Sequence, residues 1–274
     1  MKLGIFAKTF SGNDPQSVLT QVKAAGFDVT QYNMACSGLD AMPTEILQAT
    51  ADAVRHAAAT TGVEIAAVSG TYNMIHPDVA KRVAGHEKLA VLAQSCAAMG
   101  ANLITLCTGT RDSQDQWREH PENNSPEAWA DLLASMETAI AIAEKYEVCL
   151  GIEPELANVV NSAAKAKLLI DTMKSARLKI IFDPANLFES EPLENQRRII
   201  SSAIDLLGPH ITMTHAKDRK ADGSFATAGK GVLDFSHYIK CLRALDFNGP
   251  LVTHGLKAEE APDVAKFLGE KLSE

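Results

Sequence analysis

The sequence predicts a closed (β/α)8 barrel: an α/β TIM barrel with a parallel eight-stranded sheet, spanning residues 1–274 as a single domain. Two observations carry the prediction and one absence supports it. Short apolar or β-branched runs alternate with longer segments of helical period, and eight such units can be counted along the chain. Strand-helix alternation gives a parallel sheet, and eight units favour closing it, at a length of 274 residues that one barrel routinely occupies. An open dinucleotide-binding sheet would place Gly-x-Gly-x-x-Gly after its first strand. Lys8-Thr9-Phe10-Ser11-Gly12-Asn13 stands there instead, so a dinucleotide is not indicated.

The first strand is read at Leu3–Ala7, and Asp14-Pro15 opens the helix after it, because a proline in the first turn loses no helical hydrogen bond. Asp28–Tyr32 is the second strand, with Met42-Pro43 expected to begin its helix. Glu64–Ser69 is the third; Leu89, Leu92, Ala93 and Cys96 then form a helical stripe that stops at Gly100. The fourth, Leu103–Thr108, leads into the longest polar insertion, Thr108–Pro126, which a barrel would carry on its top face. Ser125-Pro126 starts the next helix, where Trp129, Leu132, Leu133, Met136, Ile140 and Ala143 share one face by steps of three and four. Cys149–Glu153, Lys179–Asp183 and Ile211–His215 are strands five to seven, each with a helical segment behind it. Phe235, Ile239, Leu242 and Leu245 precede the Asn248-Gly249-Pro250 turn into the eighth strand, Pro250–His254. Ala228-Gly229-Lys230-Gly231 lacks the spacing of a phosphate-binding loop and is read as a turn.

Apolar residues make up 46% and charged residues 22%, the proportions of a globular protein with a sizeable core. Lys and Arg number 26 against 34 Asp and Glu, a net charge of −8, and a protein that grips phosphate backbones usually carries the opposite excess, so nucleic acid is not expected as the main partner. No membrane partner is expected, because no apolar run approaches the roughly 18 residues of a membrane span. The start of the chain lacks a basic segment followed by a long apolar one, and five cysteines without a Cys-x-x-Cys pair fit reduced thiols; a soluble, cytoplasmic protein is expected.

Barrel enzymes place their chemistry at the C-terminal ends of the strands, where the backbone is rigid and the following loops are free to vary. The last four strands end in Glu153, Asp183, His215 and His254, all at one structural level. Two carboxylates and two imidazoles around one mouth suit a divalent ion such as Mn²⁺, Co²⁺ or Zn²⁺ better than a magnesium site of oxygens alone. With a period of two, an inward His215 places Met213 and Ile211 inside the barrel beneath it and Lys217 above it. His210 begins the same strand, about 16 Å lower at roughly 3.3 Å per residue. It is read as a bottom-face residue, and His56, His86 and His237 are likewise read as surface or packing residues. Around the mouth, Lys8, Asn33, His76, Arg111, Trp117, Asn186 and Lys230 are candidate substrate-binding residues. A tryptophan can cover a sugar's apolar face, and an arginine can grip an anion through two parallel hydrogen bonds. Lys217 is a candidate catalytic residue beside His215, and Glu155, two residues beyond Glu153, is an alternative proton carrier.

The segments Ile152-Glu153-Pro154, Phe182-Asp183-Pro184-Ala185-Asn186, His215-Ala216-Lys217-Asp218 and Gly229-Lys230-Gly231-Val232-Leu233-Asp234-Phe235 resemble the xylose isomerase-like barrels, the sugar phosphate isomerases and epimerases, over nearly the whole chain. The resemblance implies a divalent metal held by Glu, Asp, His and a second Glu at the ends of strands five to eight. Glu153, Asp183 and His215 match those positions, whereas Val252-Thr253-His254-Gly255 replaces the final Glu by His, and Asn186 stands where many relatives carry a substrate-binding His.

The expected activity is therefore a metal-dependent isomerisation or epimerisation of a small sugar, ketose or polyol, with Glu153 as the base that removes the proton beside the carbonyl. A dehydratase or lyase on the same barrel needs similar residues and is the nearest alternative. His254 leaves room for a sugar-binding relative without catalysis. The net charge of −8 and Asn186 argue against an abasic-site endonuclease. Relatives often form homo-oligomers, and the same is expected here.

Overall fold

In the computed structural model, which describes Met1–Glu274, the first strand pairs in parallel with the last and so closes the sheet on itself. The strands are β1 (Lys2–Phe6), β2 (Val29–Tyr32), β3 (Glu64–Ser69), β4 (Leu103–Cys107), β5 (Cys149–Glu153), β6 (Leu178–Phe182), β7 (Ile211–Ala216) and β8 (Pro250–Thr253). Their order around the barrel is β1-β8-β7-β6-β5-β4-β3-β2, and every expected boundary lies within one residue of the observed one. Eight helices alternate with them: α1 (Pro15–Ala24), α2 (Gln48–Thr61), α3 (Val79–Met99), α4 (Pro126–Lys145), α5 (Ala163–Met173), α6 (Leu193–Leu207), α7 (Phe235–Ala244) and α8 (Ala261–Ser273). No helix is long and apolar enough to cross a membrane.

Local chemistry explains where the helices start. Asp14 accepts from the Ser17 amide at 2.8 Å, Ser125 from Ala128 at 3.1 Å and Asp234 from His237 at 3.0 Å, each satisfying an amide that the first turn leaves free. Pro15 and Pro126 follow two of these caps, as expected. Met42-Pro43 does not begin a helix: α2 starts only at Gln48, and the preceding loop buries Met42 in the core and brings Ala41 to the mouth of the barrel.

Two apolar regions hold the barrel. The larger, of 65 buried residues, is dominated by packing between sheet and helices. The smaller joins Ala67, Leu103, Ile181, Met213 and Val252 from five strands inside the barrel, beneath the strand ends. Each fully buried Leu, Ile, Val or Met of this kind contributes about 1.5–3 kcal/mol. Ile211 is not among them, contrary to the simple alternation. Ile180 pairs with Ile211 but Ile181 pairs with Met213, so a bulge at Thr212 breaks the period of two and leaves Ile211 in the outer layer.

After β7 the chain makes a small antiparallel hairpin, Asp218–Arg219 against Phe225–Ala226, that the sequence periodicity did not reveal. The buried Asp218 carboxylate accepts from the amides of Arg219, Gly229, Gly231 and Leu233 at 2.8, 3.1, 2.9 and 3.0 Å. A Cβ on Gly231 would overlap the Arg219 carbonyl. The Gly-Lys-Gly segment is thus a turn, as expected, and its amides serve an internal carboxylate.

Gly151 lies on β5 where a Cβ would overlap Ile181 and press on Leu103 in the barrel interior. Gly151→Val is expected to overpack this layer and destabilise the fold by about 1–3 kcal/mol, read as a lower urea midpoint. An unchanged midpoint would show that the interior can relax around the added side chain.

Candidate active site

The ends of β5 to β8 bring Glu153, Asp183, His215 and His254 together, with one ligand atom from each lying within 4.8 Å of all the others. Adjacency in the closed sheet does this, because four neighbouring strands of equal level present their last side chains to one point. Glu153 ends β5, Asp183 follows β6 directly, His215 lies at the end of β7 and His254 follows β8. Asp183 also accepts from the Ala185 amide through Oδ1 at 2.9 Å, which fixes its carboxylate and turns Oδ2 toward the cluster.

The hydrogen bonds fix which nitrogen of His215 faces the cluster. His215 Nε2 lies 2.9 Å from Gln31 Oε1, an acceptor, so this nitrogen donates; Nδ1 faces Glu153 Oε1 at 3.1 Å. Gln31 is held in turn by donation from its Nε2 to Thr105 Oγ1 at 3.1 Å. An outer partner that fixes a histidine's orientation in this way is the usual support of a metal ligand. His254 Nε2 approaches Asp183 Oδ2 to 3.4 Å, a charge-pair distance without hydrogen-bond geometry, and both atoms are buried with no hydrogen-bond partner. Buried polar atoms are rarely left so. Two orphaned donor atoms, a carboxylate and an imidazole already fixed by Gln31 form a set that fits a divalent cation.

Charges at this point balance through close partners. Burial raises the Glu153 pKa, but the adjacent His215 outweighs it, so the carboxyl stays below its ordinary value. For His215, burial disfavours the cation and Glu153 outweighs burial, which raises its pKa. Burial acts on Asp183 too, and the Lys217 ammonium, 3.3 Å from Oδ2, overcomes it together with His254, so this carboxyl is strongly lowered. Burial and the neighbouring His215 both keep His254 neutral, with a lowered pKa. Asn186 links the set, donating to Glu153 Oε1 at 2.8 Å and accepting from Lys217 Nζ at 3.0 Å. Both close contacts of Glu153 therefore fall on Oε1, and Oε2 carries none.

Above the cluster opens a cavity of about 760 Å³, bordered by Glu153, His215, Asn186, Lys217 and His254 at its polar end. Lys8, Asn33 and Trp117, named from sequence, border it as well. His76 and Arg111 do not. The His76 ring accepts from the Asp78 amide at 3.0 Å and faces the Ser113 carbonyl at 3.2 Å, while Arg111 is paired with Asp131 at 2.6 Å and bonded to the Ile75 carbonyl at 3.3 Å. Both fasten the long loop after β4. Lys230 is exposed on the turn around Asp218 and stays outside the cavity.

Other lining residues were not anticipated. Gln31 and Thr105 lie on strands, where only the inward direction of their side chains marks them. Arg219, Glu189 and Phe225 come from the hairpin and the loop after β6, and Cys107 ends β4. Cys107 donates to Glu155 Oε1 at 2.9 Å, and burial together with the Glu153 charge pushes the Glu155 carboxyl up to about 7. Burial holds the Cys107 thiol far above its usual range, so it is an uncharged donor.

No curated protein matches the sequence. Solved structures of similar fold include the apo 3-keto-D-glucoside 4-epimerase of E. coli, with a TM-score of 0.78 and 18% identity over 98% of this chain and 99% of that one. A D-psicose 3-epimerase from Clostridium cellulolyticum H10, with D-tagatose, has a TM-score of 0.75 and 16% identity over 99% of each chain. An L-ribulose 3-epimerase has 0.76 and 18%, over 99% of this chain and 94% of that one. At these identities the likeness is one of fold, and each activity is that protein's own. The family model of the xylose isomerase-like TIM barrel matches residues 19–270, nearly the whole barrel, and the chain belongs to that family.

Proposed function

We propose that the protein is a metal-dependent sugar isomerase or epimerase that moves a proton beside a carbonyl. The observation that carries this reading is the placement of Glu153: a buried carboxylate kept ionised by His215, with Oε2 uncommitted, at the polar end of a cavity that holds a metal-ligand set. The sugar epimerase activities of the similarly folded proteins support it.

Glu153, Asp183, His215 and His254 would hold the divalent ion. Bound there, the ion supplies Lewis-acid polarisation of the carbonyl and so acidifies the neighbouring C–H. Glu153 Oε2 accepts the proton, and the hydrogen bond from Asn186 to Oε1 fixes the carboxylate's orientation while it does so. Lys217 places a positive charge beside the same point, held by Asp183 and Asn186, and stabilises the negative charge that gathers on substrate oxygens. The deep end of the cavity keeps this exchange away from bulk water.

A second reading, dehydration on the same barrel, is favoured by one observation: His254, neutral and turned toward Asp183, stands where the resemblance implies a second glutamate. Loss of a β-hydroxyl after the first proton transfer does not need that glutamate. Product mass separates the two, since isomerisation conserves it and dehydration removes water.

Glu153→Gln is expected to abolish exchange of the substrate's α-proton with deuterium oxide, by at least a hundredfold, in a protein that still folds. Exchange within threefold of the parent would remove Glu153 as the base. Asp183→Ala and His215→Ala are each expected to lower the metal content after dialysis, and unchanged stoichiometry in both would remove the proposed site. Gln31→Ala touches no ligand atom directly, yet it is expected to weaken metal affinity by about 10–100-fold, measured by chelator competition.

A further inference from the structure

The cavity is larger than the proposed reaction requires. Reaction beside a carbonyl needs a few carbons of one sugar at the cluster of Glu153, His215 and Asn186. A hexose occupies about six times water's share of roughly 30 Å³, or about 180 Å³, against a cavity of about 760 Å³. The outer part of the cavity thus has room for a second ring.

Two exposed aromatic side chains line the cavity, Trp117 and Phe225. Trp117 and Phe225 are each 51% exposed, and each is a lone large aromatic in an otherwise polar segment. They reach the mouth from different sides, Trp117 from the loop after β4 and Phe225 from the hairpin after β7, three strands away around the barrel. Phe225 is held in place: Lys217 Nζ lies 3.8 Å and Arg219 Cζ 4.1 Å from its ring centre. Leu156 adds apolar surface beside them. Aromatic faces of this kind cover the C–H faces of pyranose rings.

The charges of the cavity give the second half of the inference. Its cations are Lys8, Lys217 and Arg219, and its carboxylates are Glu119, Glu153, Glu155 and Glu189. Lys217 is held by Asp183 and Asn186. The Arg219 fork is used on backbone, with Nε donating to the Ala185 carbonyl at 2.6 Å and Nη1 donating to Gly223. Only Lys8, exposed at the rim, lacks a partner, and a single free lysine does not make a phosphate site.

We propose, building on the isomerase reading above, that the substrate is a neutral keto-sugar carrying a second ring, a glycoside or disaccharide, whose outer ring is held between Trp117 and Phe225. A free monosaccharide fills only part of the cavity, and a sugar phosphate finds no pair of uncommitted cations to grip it.

The test is calorimetric titration of the manganese-saturated protein with D-fructose, D-fructose 6-phosphate and the positional isomers of glucosyl-fructose. At least one glucosyl-fructose is expected to bind tenfold or more tightly than D-fructose, and the phosphate to bind no better than D-fructose. The glucosyl preference is expected to fall to within twofold in the Trp117→Ala, Phe225→Ala double variant and to be retained in Trp117→Phe. Equal or weaker binding of every glucosyl-fructose, tighter binding of the phosphate, or a preference that survives loss of both rings would each overturn the proposal. Deuterium exchange at the α-carbon, followed by NMR on the same sugars, reads the reaction separately. Exchange without ring-dependent preference removes the two-ring substrate alone, and ring-dependent binding without exchange removes the isomerase reading alone.

Discussion

Two carboxylates buried at one point set the terms for the rest of this structure. Glu153 and Asp183 lie in the same cluster of donor atoms, out of water, where like charges repel strongly and desolvation opposes both. Every close neighbour offsets one of those costs. His215 attends Glu153, Lys217 attends Asp183, and Asn186 joins Glu153 to Lys217 by its two ends. The arrangement closes only if four strand ends hold their level to within a fraction of a residue, which a hydrogen-bonded ring of strands provides and an open sheet would provide less rigidly.

The barrel meets that demand with an interior layer directly below. Met213 sits two residues before His215 on β7, and Ile181 two before Asp183 on the β6 side, so the small apolar cluster and the polar cluster are successive storeys of the same strands. The bulge at Thr212 matters for this. It sets the inward phase of β7 from Met213 onward, so that His215 points to the centre while Ile211 packs outside. Tyr238 of α7 ties the ends of β6 and β7 together from behind, its hydroxyl lying 3.3 Å from the Phe182 carbonyl and 3.2 Å from that of His215.

How much of this the sequence shows follows from what periodicity can report. Apolar alternation marks strands and their ends, so the barrel and the residues at the ends of β5 to β8 are legible, His254 included. Loops carry no such period. His76 and Arg111 are chemically apt for substrate and sit in the right loops, but backbone groups and Asp131 engage them first. Gln31 shows the opposite case: a glutamine within a strand has no special signal in sequence, and its role appears only when β2 and β7 face each other across the barrel, with Gln31 and His215 184 residues apart. Phe225 was hidden for a similar reason, since a two-residue strand is too short to leave a pattern.

His254, where the resemblance implies a glutamate, changes the electrostatics of the proposed site more than its shape. The imidazole nitrogen still reaches the cluster, 3.4 Å from Asp183 Oδ2, so a donor is present where a carboxylate oxygen would be. What is lost is one negative charge. Against a divalent ion, Glu153 and Asp183 alone leave no surplus, and Lys217 then makes the immediate surroundings positive. Such a centre favours negative charge on substrate oxygens, the charge that follows removal of a proton beside a carbonyl. It also removes one of the two carboxylates that would flank the substrate. In the proposed reaction, proton removal by Glu153 is therefore favoured, while return of the proton to the other face must rely on a different group. That asymmetry, imposed by one residue at the end of β8, is the reason that dehydration competes with epimerisation as the proposed reading of this barrel.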